Sequence, residues 1–344
     1  MRHAPITALI LLAGLLVLAW RWPDVTLILF AGVLGAVALR AGAVPMARYF
    51  GIGEGWAVLL IVLLLFVSIG LGVWLGVGEN LLEQARQAGR DLPRAWERLN
   101  ALLRDLPGPE WLDRILEPAA TPPSPERLVG VARAGLTTSL GAMANIVLIL
   151  LLAIFMATDP GPYRRGALSL LAPSLRPCGE RTLEAMGHVL RGWLIGQLFA
   201  MVVSGTLTFL GLWALGIPLA GLLAVLTAIF GFIPYLGPFI GMVPAGLITL
   251  SHDPSLLVWV IGLFLLVQNV EGYVLTPLVQ QEASDVPAAV LLGAQALFGT
   301  TLGVLGILLA APVAAAVVAA VRVAYVEGWV EREPEGGVPP PSLS

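Results

Sequence analysis

Apolar residues run along the chain in long blocks broken by short polar stretches. Ile6–Trp20 and Val25–Leu39 are two such blocks, joined by Arg21-Trp22-Pro23-Asp24. That short turn predicts a helical hairpin, with Trp20 and Trp22 at the level where amphipathic rings settle at a bilayer interface. Arg40 to Glu54 reads as a loop. Trp56–Val77 is long enough to cross a hydrocarbon core, which takes roughly 20 apolar residues. Trp193–Leu215 is a second full-length span. Between these two, the pattern changes in kind.

Glu79 to Arg133 holds eight Arg and nine carboxylates. Leu81, Leu82, Ala85, Leu92, Trp96, Leu99, Leu102 and Leu103 recur at helical spacing within it. Asp91 is a cap before Pro93, and Pro107-Gly108-Pro109 ends the pattern. Trp111, Leu112, Ile115 and Leu116 begin a further short helix before the Pro-rich linker 118–125. The expected structure is a small amphipathic helical module outside the bilayer. Its apolar stripe needs cover from itself, the membrane surface or a neighbouring subunit. Ser124 then caps a helix with Pro125 in its first turn, and helical character continues to Thr158. At 1.5 Å per residue this is roughly 50 Å, more than a membrane's thickness.

Asp159 to Arg191 is polar and predicts a loop. After Leu215 the spans become short. Pro218–Ile233 and Leu236–Leu250 flank the break Pro234-Tyr235-Leu236-Gly237-Pro238. Leu256–Val270 leads into Gln268, Asn269 and Glu271. Val286–Phe298 is short, and Thr301–Val321 carries Pro312 inside it. The charged, Pro-rich tail is expected to be disordered.

The expected architecture is therefore all-α: a polytopic integral membrane protein with about eight membrane segments, including re-entrant or broken hairpins, plus the extramembrane module. The divisions are 1–78, a three-span region; 79–136, the module; 137–158, the membrane end of the long helix; 159–191, a loop; 192–325, a core of broken helices; and 326–344, the tail.

Composition narrows the class. Hydrophobic residues make up 58% of 344 residues and charged residues 12%, about half the share usual in soluble domains. Net charge is −3, so no basic field points to nucleic acid. All 19 basic residues are Arg. Without Lys there is no standard phosphate-binding P-loop. The single Cys178 has no intrachain partner and reads as inert. Arg2 precedes the first apolar block, but no small-residue cleavage pattern follows, so a signal peptide is not expected.

Sidedness follows from Arg. Counting every loop gives nine outside and ten inside. Leaving out the long module, to which the positive-inside count does not apply, gives one against ten. Both termini and the 159–191 loop are thus expected in the cytoplasm.

No Arg occurs from Gly192 to Val321. Four carboxylates lie there: Asp253, Glu271, Glu282 and Asp285. An ionisable group in a membrane segment is a functional candidate by default. Gln268 shares a helical face with Glu271. Asn269 and Tyr273 share the neighbouring one. The alternative is that Glu271 marks a helix end at the interface. Glu282 and Asp285 read as loop carboxylates, and Asp253 as a turn and cap. Pro234 and Pro238 each lack an N–H, and broken backbone at membrane depth survives only inside protein or beside a water-filled cavity. Together with Tyr235 and Gly237 they form a candidate binding break; the alternative is a plain turn at the membrane edge. Gly299, Gly303 and Gly306 lie on close turns and read as packing positions. No nucleophile and base suggest an intramembrane hydrolase. Ser204 precedes Gly205, but Val202 stands where a Gly-x-Ser-Gly motif needs Gly.

Phe232-Ile233-Pro234-Tyr235-Leu236-Gly237-Pro238-Phe239-Ile240-Gly241 resembles the signature of the autoinducer-2 exporter family, the PerM-like permeases. Gln268-Asn269-Val270-Glu271-Gly272-Tyr273-Val274-Leu275-Thr276-Pro277 resembles its second motif. Phe298-Gly299, Gly303-Val304-Leu305-Gly306 and Ala310-Ala311-Pro312 follow the same pattern, as does Arg191-Gly192-Trp193-Leu194-Ile195-Gly196-Gln197. The resemblance covers about residues 6–325. It implies a multi-span, homo-oligomeric transporter of the bacterial inner membrane. Relatives are linked to autoinducer-2 export or sodium–proton exchange. Leu278 follows Pro277 where the family often has a basic residue, which argues against an anionic contact there.

The resulting expectation is a secondary transporter for a small polar solute or monovalent cation. Gln268, Asn269, Glu271, Tyr273, Pro234, Tyr235, Gly237 and Pro238 would line its site. Pro277, Gly299, Gly303, Gly306, Pro312 and Arg191 would serve packing and gating. No cofactor is expected beyond coupling to H+ or Na+. A passive channel, or a structural membrane subunit of a larger complex, is the competing expectation.

Overall fold

The computed structural model describes residues 14, 21–74, 80–81, 83–84, 86–90, 125–234, 236–275 and 287–330. Among these the chain is helical and contains no strand. The main elements are α1 (Pro23–Phe50), α2 (Glu54–Trp74), α3 (Pro125–Thr158), α4 (Pro160–Ser169), α5 (Arg176–Ala214), α6 (Ala220–Phe230), α7 (Leu236–His252), α8 (Leu257–Val270) and α9 (Ala288–Val321). Glu271–Leu275 and Arg322–Val330 form π-helical turns. The chain divides into two compact units. One holds residues 1–61, 149–195 and 279–344; the other holds 62–148 and 196–278.

Among the described residues four helical stretches are long and apolar enough to cross a membrane: Pro23–Phe50, Pro173–Ala214, Pro254–Tyr273 and Ala289–Glu327. A fifth arises if Met143–Thr158 and Pro160–Ser169, bent by 90°, count as one span. Ile6–Trp20, one of the expected eight segments, lies outside the described residues apart from Gly14. Glu54–Ser68, Ala220–Phe230 and Phe239–His252 are apolar but shorter.

In the first unit, α1 is longer than its apolar block. Arg40–Phe50 continues the helix rather than forming a loop, and ends at Gly51 in the left-handed conformation. Arg40 explains the continuation. Its guanidinium donates to the Ala157 carbonyl at 2.9 Å and pairs with Glu54. A charge that looked like a helix end is thus spent tying three helices together. Small residues let them approach: a Cβ on Gly32 or Gly35 would lie 2.8 Å from Leu152 or Ala153. Ala36, Ala43, Ala47, Ala57, Val58 and Ala157 form the core there.

Residues 159–191 are mostly helical, not a loop. Asp159 caps α4 by accepting from the Gly161 N–H at 3.2 Å. Arg164 pairs with Glu184 at 2.9 Å and Glu180 at 3.5 Å, and α5 is already under way at Arg176.

In α9 the backbone breaks at Gly303, with φ 64° and ψ −147°. A Cβ on Gly299 would meet Ile307 at 2.8 Å, and one on Gly306 would meet the Phe298 carbonyl at 2.2 Å. A straight helix separates residues eight apart by about 12 Å. The two arms of α9 therefore double back on each other at Gly303. Pro312 is fully buried in the second arm. Helical structure continues through Val330, five residues into the segment expected to be disordered; 331–344 lie outside the described residues.

In the second unit, Leu212, Ile217, Leu219, Leu223, Ala245, Ile248, Val260 and Phe264 form the core. The beginning of the sequence-predicted module joins it. Ala88 packs on this cluster, and the Leu222 N–H donates to Gln84 Oε1 at 2.9 Å, satisfying a free donor at the start of α6. Residues 91–124, most of the module, lie outside the described residues. Asp253 caps the turn into α8, accepting from the Ser255 hydroxyl at 2.7 Å and its N–H at 2.9 Å. Those two bonds hold its carboxyl below the usual aspartate range.

Candidate functional site

Three polar residues of the second unit share one face of α5. Gln197, Ser204 and Thr208 are buried within this apolar helix. Two of them bond to other elements. Gln197 Nε2 donates to the Gly231 carbonyl. Ser204 donates to Glu271 Oε2 at 3.2 Å. Thr208 is 0% exposed and its hydroxyl has no hydrogen-bond partner.

The Gly231–Pro234 turn separates α6 from α7, as Pro234 and Pro238 in the sequence demand. The Gly231 N–H still reaches the Thr227 carbonyl at 2.8 Å, and the Gly237 N–H reaches Ile233 at 2.9 Å. A turn this tight admits no side chain at 237, where a Cβ would sit 2.0 Å from the Phe230 carbonyl. Pro234 is partly buried and Gly237 buried. Pro238 falls in the first turn of α7, and Tyr235 lies outside the described residues. The bond from Gln197 gives this break a partner inside the protein, the condition for surviving in a bilayer.

Glu271 stands at the end of α8, where the helix widens into a π turn. Such turns concentrate at functional sites. Gln268, three residues earlier, has a buried side-chain oxygen without a partner. Asn269 and Tyr273 do not join this group. Asn269 is exposed and donates to the Leu265 carbonyl of its own helix at 2.7 Å. Tyr273 is 80% exposed. Helical rotation puts the two on a different face from Gln268 and Glu271.

The expected packing and gating residues belong to the other unit. Gly299, Gly303, Gly306 and Pro312 build the folded arms of α9, and Arg191 is exposed on α5. Pro277, Glu282 and Asp285 lie outside the described residues. Ser204 and Thr208 were weak signals in the sequence. A hydroxyl in an apolar helix ordinarily bonds back to its own carbonyls, as Thr227 does to Leu223 at 2.8 Å. Among the described residues no three His, Cys, Asp or Glu converge as metal ligands.

The chain is 27% identical to the Bacillus subtilis protein named "Putative transport protein YueF", over 75% of this chain and 74% of that one. It is 24% identical to Escherichia coli "Putative transport protein YhhT" over 84% and 82%, and 25% identical to Escherichia coli "Putative permease PerM" over 70% and 75%. An AI-2E family transporter profile matches residues 8–325. All three relatives are named for transport, and the chain itself belongs to the AI-2E transporter family.

Proposed function

We propose that this protein is a secondary transporter of the bacterial inner membrane, moving a small polar solute or exchanging a cation for protons, and not an enzyme. The supporting observation is the Ser204–Glu271 hydrogen bond. It holds a carboxylate against a buried hydroxyl of another helix, at 3.2 Å. Such a group is costly in a bilayer unless it has work to do.

Glu271 carries the coupling proton or helps hold the coupling ion, with Gln268 beside it. The Gly231–Pro238 break, tied to the same face of α5 through Gln197, supplies backbone carbonyls near the path. Seven residues separate Gln197 from Ser204, about 10 Å along the helix, so both features can serve one route. Alternating access is motion of one helical unit against the other parts of a homo-oligomeric scaffold.

The test is flux in liposomes. Purified protein is reconstituted with a trapped pH dye, and a sodium gradient is imposed. Exchange gives a sodium-driven pH change that Glu271→Gln abolishes, since the amide neither releases a proton nor balances a cation. A pH response that persists in Glu271→Gln removes this residue from the path. No response in wild type removes exchange, and a polar organic solute is then loaded instead. Flux that ignores both gradients marks a passive channel.

A further inference from the structure

Among the described residues Leu219 is the one non-glycine position with a left-handed backbone, at φ 63° and ψ 19°. That region brings Cβ close to the following carbonyl oxygen, and a residue stays there only when its surroundings hold it. The route into Leu219 is short. α5 ends with Gly216 at φ 68°. The Gly216 N–H donates to the Trp213 carbonyl at 3.0 Å, and the Ile217 N–H donates to the Leu212 carbonyl at 2.9 Å. This pair of bonds makes a glycine-terminated helix end. Only Ile217, Pro218 and Leu219 then remain before α6 starts at Ala220.

Leu219 is also the N-cap of α6, and its side chain makes no capping bond. The acceptor that a Ser or Asp normally supplies there comes instead from 138 residues away, where Gln84 Oε1 accepts from the Leu222 N–H at 2.9 Å. Ala88, one helical turn beyond Gln84, packs on the core cluster that contains Ile217 and Leu219. The exposed side of the same turn carries Glu83, paired with Arg86 and Arg90 at 3.6 Å each. Gln84 thus spends its polar end on the start of another helix. From Leu222, α6 runs to Phe230, and the next residue, Gly231, opens the break that Gln197 holds. Those nine residues span roughly 13 Å.

We propose that Gln84 is a positioning residue for the α6–α7 break. By capping α6 it keeps Leu219 left-handed, and so sets the angle at which α6 delivers Gly231–Pro238. This rests on the transporter reading, which gives the break its place near the path, and adds the residue that controls it. Without the cap, the Leu222 N–H loses its partner and Leu219 relaxes to the right-handed region. The junction opens, and the far end of α6 moves. Movement of the segment that carries Gln84 is transmitted to the break in the same way.

Hydrogen exchange of the purified full chain in nanodiscs reads this without transport. Gln84→Leu is compared with wild type and with two further variants. Gln84→Glu keeps an acceptor, one favoured at a helix N-terminus. Gln87→Leu is the control, because Gln87 is exposed on the same turn. In Gln84→Leu the Leu222 and Leu223 amides should exchange about tenfold faster. So should the amides of Gly231, Phe232, Ile233 and Gly237, which bond within the break. The amides of α9, in the other unit, should keep the wild-type rate. Gln84→Glu should restore both stretches, and Gln87→Leu should change neither. Gln84→Asn, whose side chain is too short to reach Leu222, gives the same comparison should Gln84→Leu fold poorly. Faster exchange at Leu222 and Leu223 alone makes Gln84 a local cap and overturns the proposal, as does unchanged exchange at both stretches. Linked exchange in a protein that moves no sodium, proton or solute has the opposite meaning: the positioning stands and the transport reading falls.

Discussion

At the scale of single residues, Gly303 shows how one position shapes a segment. Its φ of 64° and ψ of −147° fall in a region open essentially to Gly alone. The fold needs that conformation because Gly299 and Gly306 bring the two arms of α9 together, each at a place where a Cβ would meet Ile307 or the Phe298 carbonyl. Gly303→Ala is expected to cost about 1–3 kcal/mol, read as a lower Tm of the detergent-solubilised protein. Gly293→Ala, open on its helix surface with nothing near its Cβ, should leave Tm unchanged. Equal melting of Gly303→Ala and wild type would show that the arms do not turn at this residue. The sequence made the three glycines visible but not their meaning. Small residues at helical spacing suggest packing between helices, whereas here they fold one apolar stretch upon itself.

At the scale of elements, the readable features are those that Pro, Gly and charge impose. The separation of α6 from α7 follows from Pro234 and Pro238, and the turn into α8 follows from Asp253 and Pro254. Polar side chains gave poorer boundaries. Arg40 and the 159–191 stretch looked like loops because exposed charge usually ends a span. Their charges are spent between helices instead, Arg40 on Ala157 and Glu54, Arg164 on Glu180 and Glu184. The polar stripe of α5 was the least legible element, since Ser204 and Thr208 are isolated hydroxyls in an apolar run and only the fold reveals what faces them. Gln197 belongs to that stripe and holds the α6–α7 turn through the Gly231 carbonyl. Gln197→Leu removes the donor and leaves a buried carbonyl unmatched, a loss of about 1–3 kcal/mol. It should lower Tm and liposome flux together. Gln197→Glu in its protonated form can still donate, so flux recovering in that variant at low pH would tie the effect to this hydrogen bond. Full flux in Gln197→Leu would mean that the turn holds without it.

At the scale of the whole molecule, the orientation in the membrane depends on a short count of Arg and on which segments share a side. The count alone is weak, because the charged module carries eight Arg that must be left out. Packing adds an independent argument. Gln84 and Ala88, at the start of the module, meet the α5–α6 junction, so the end of α5 lies on the module's side. α5 is one continuous helix from Arg176 to Ala214, so its beginning is expected at the opposite membrane face from its end. The Arg count predicts that this face is the cytoplasmic one. Cys178, the single cysteine and partly accessible near the start of α5, is a native reporter for this arrangement. A membrane-impermeant maleimide should label it in inside-out vesicles and leave it unmodified in intact spheroplasts, with labelling after detergent lysis as the measure of total reactivity. The reverse pattern would invert every segment at once and place the module in the cytoplasm. Positive charge would then cease to set the topology, and the orientation would have to come from the module itself.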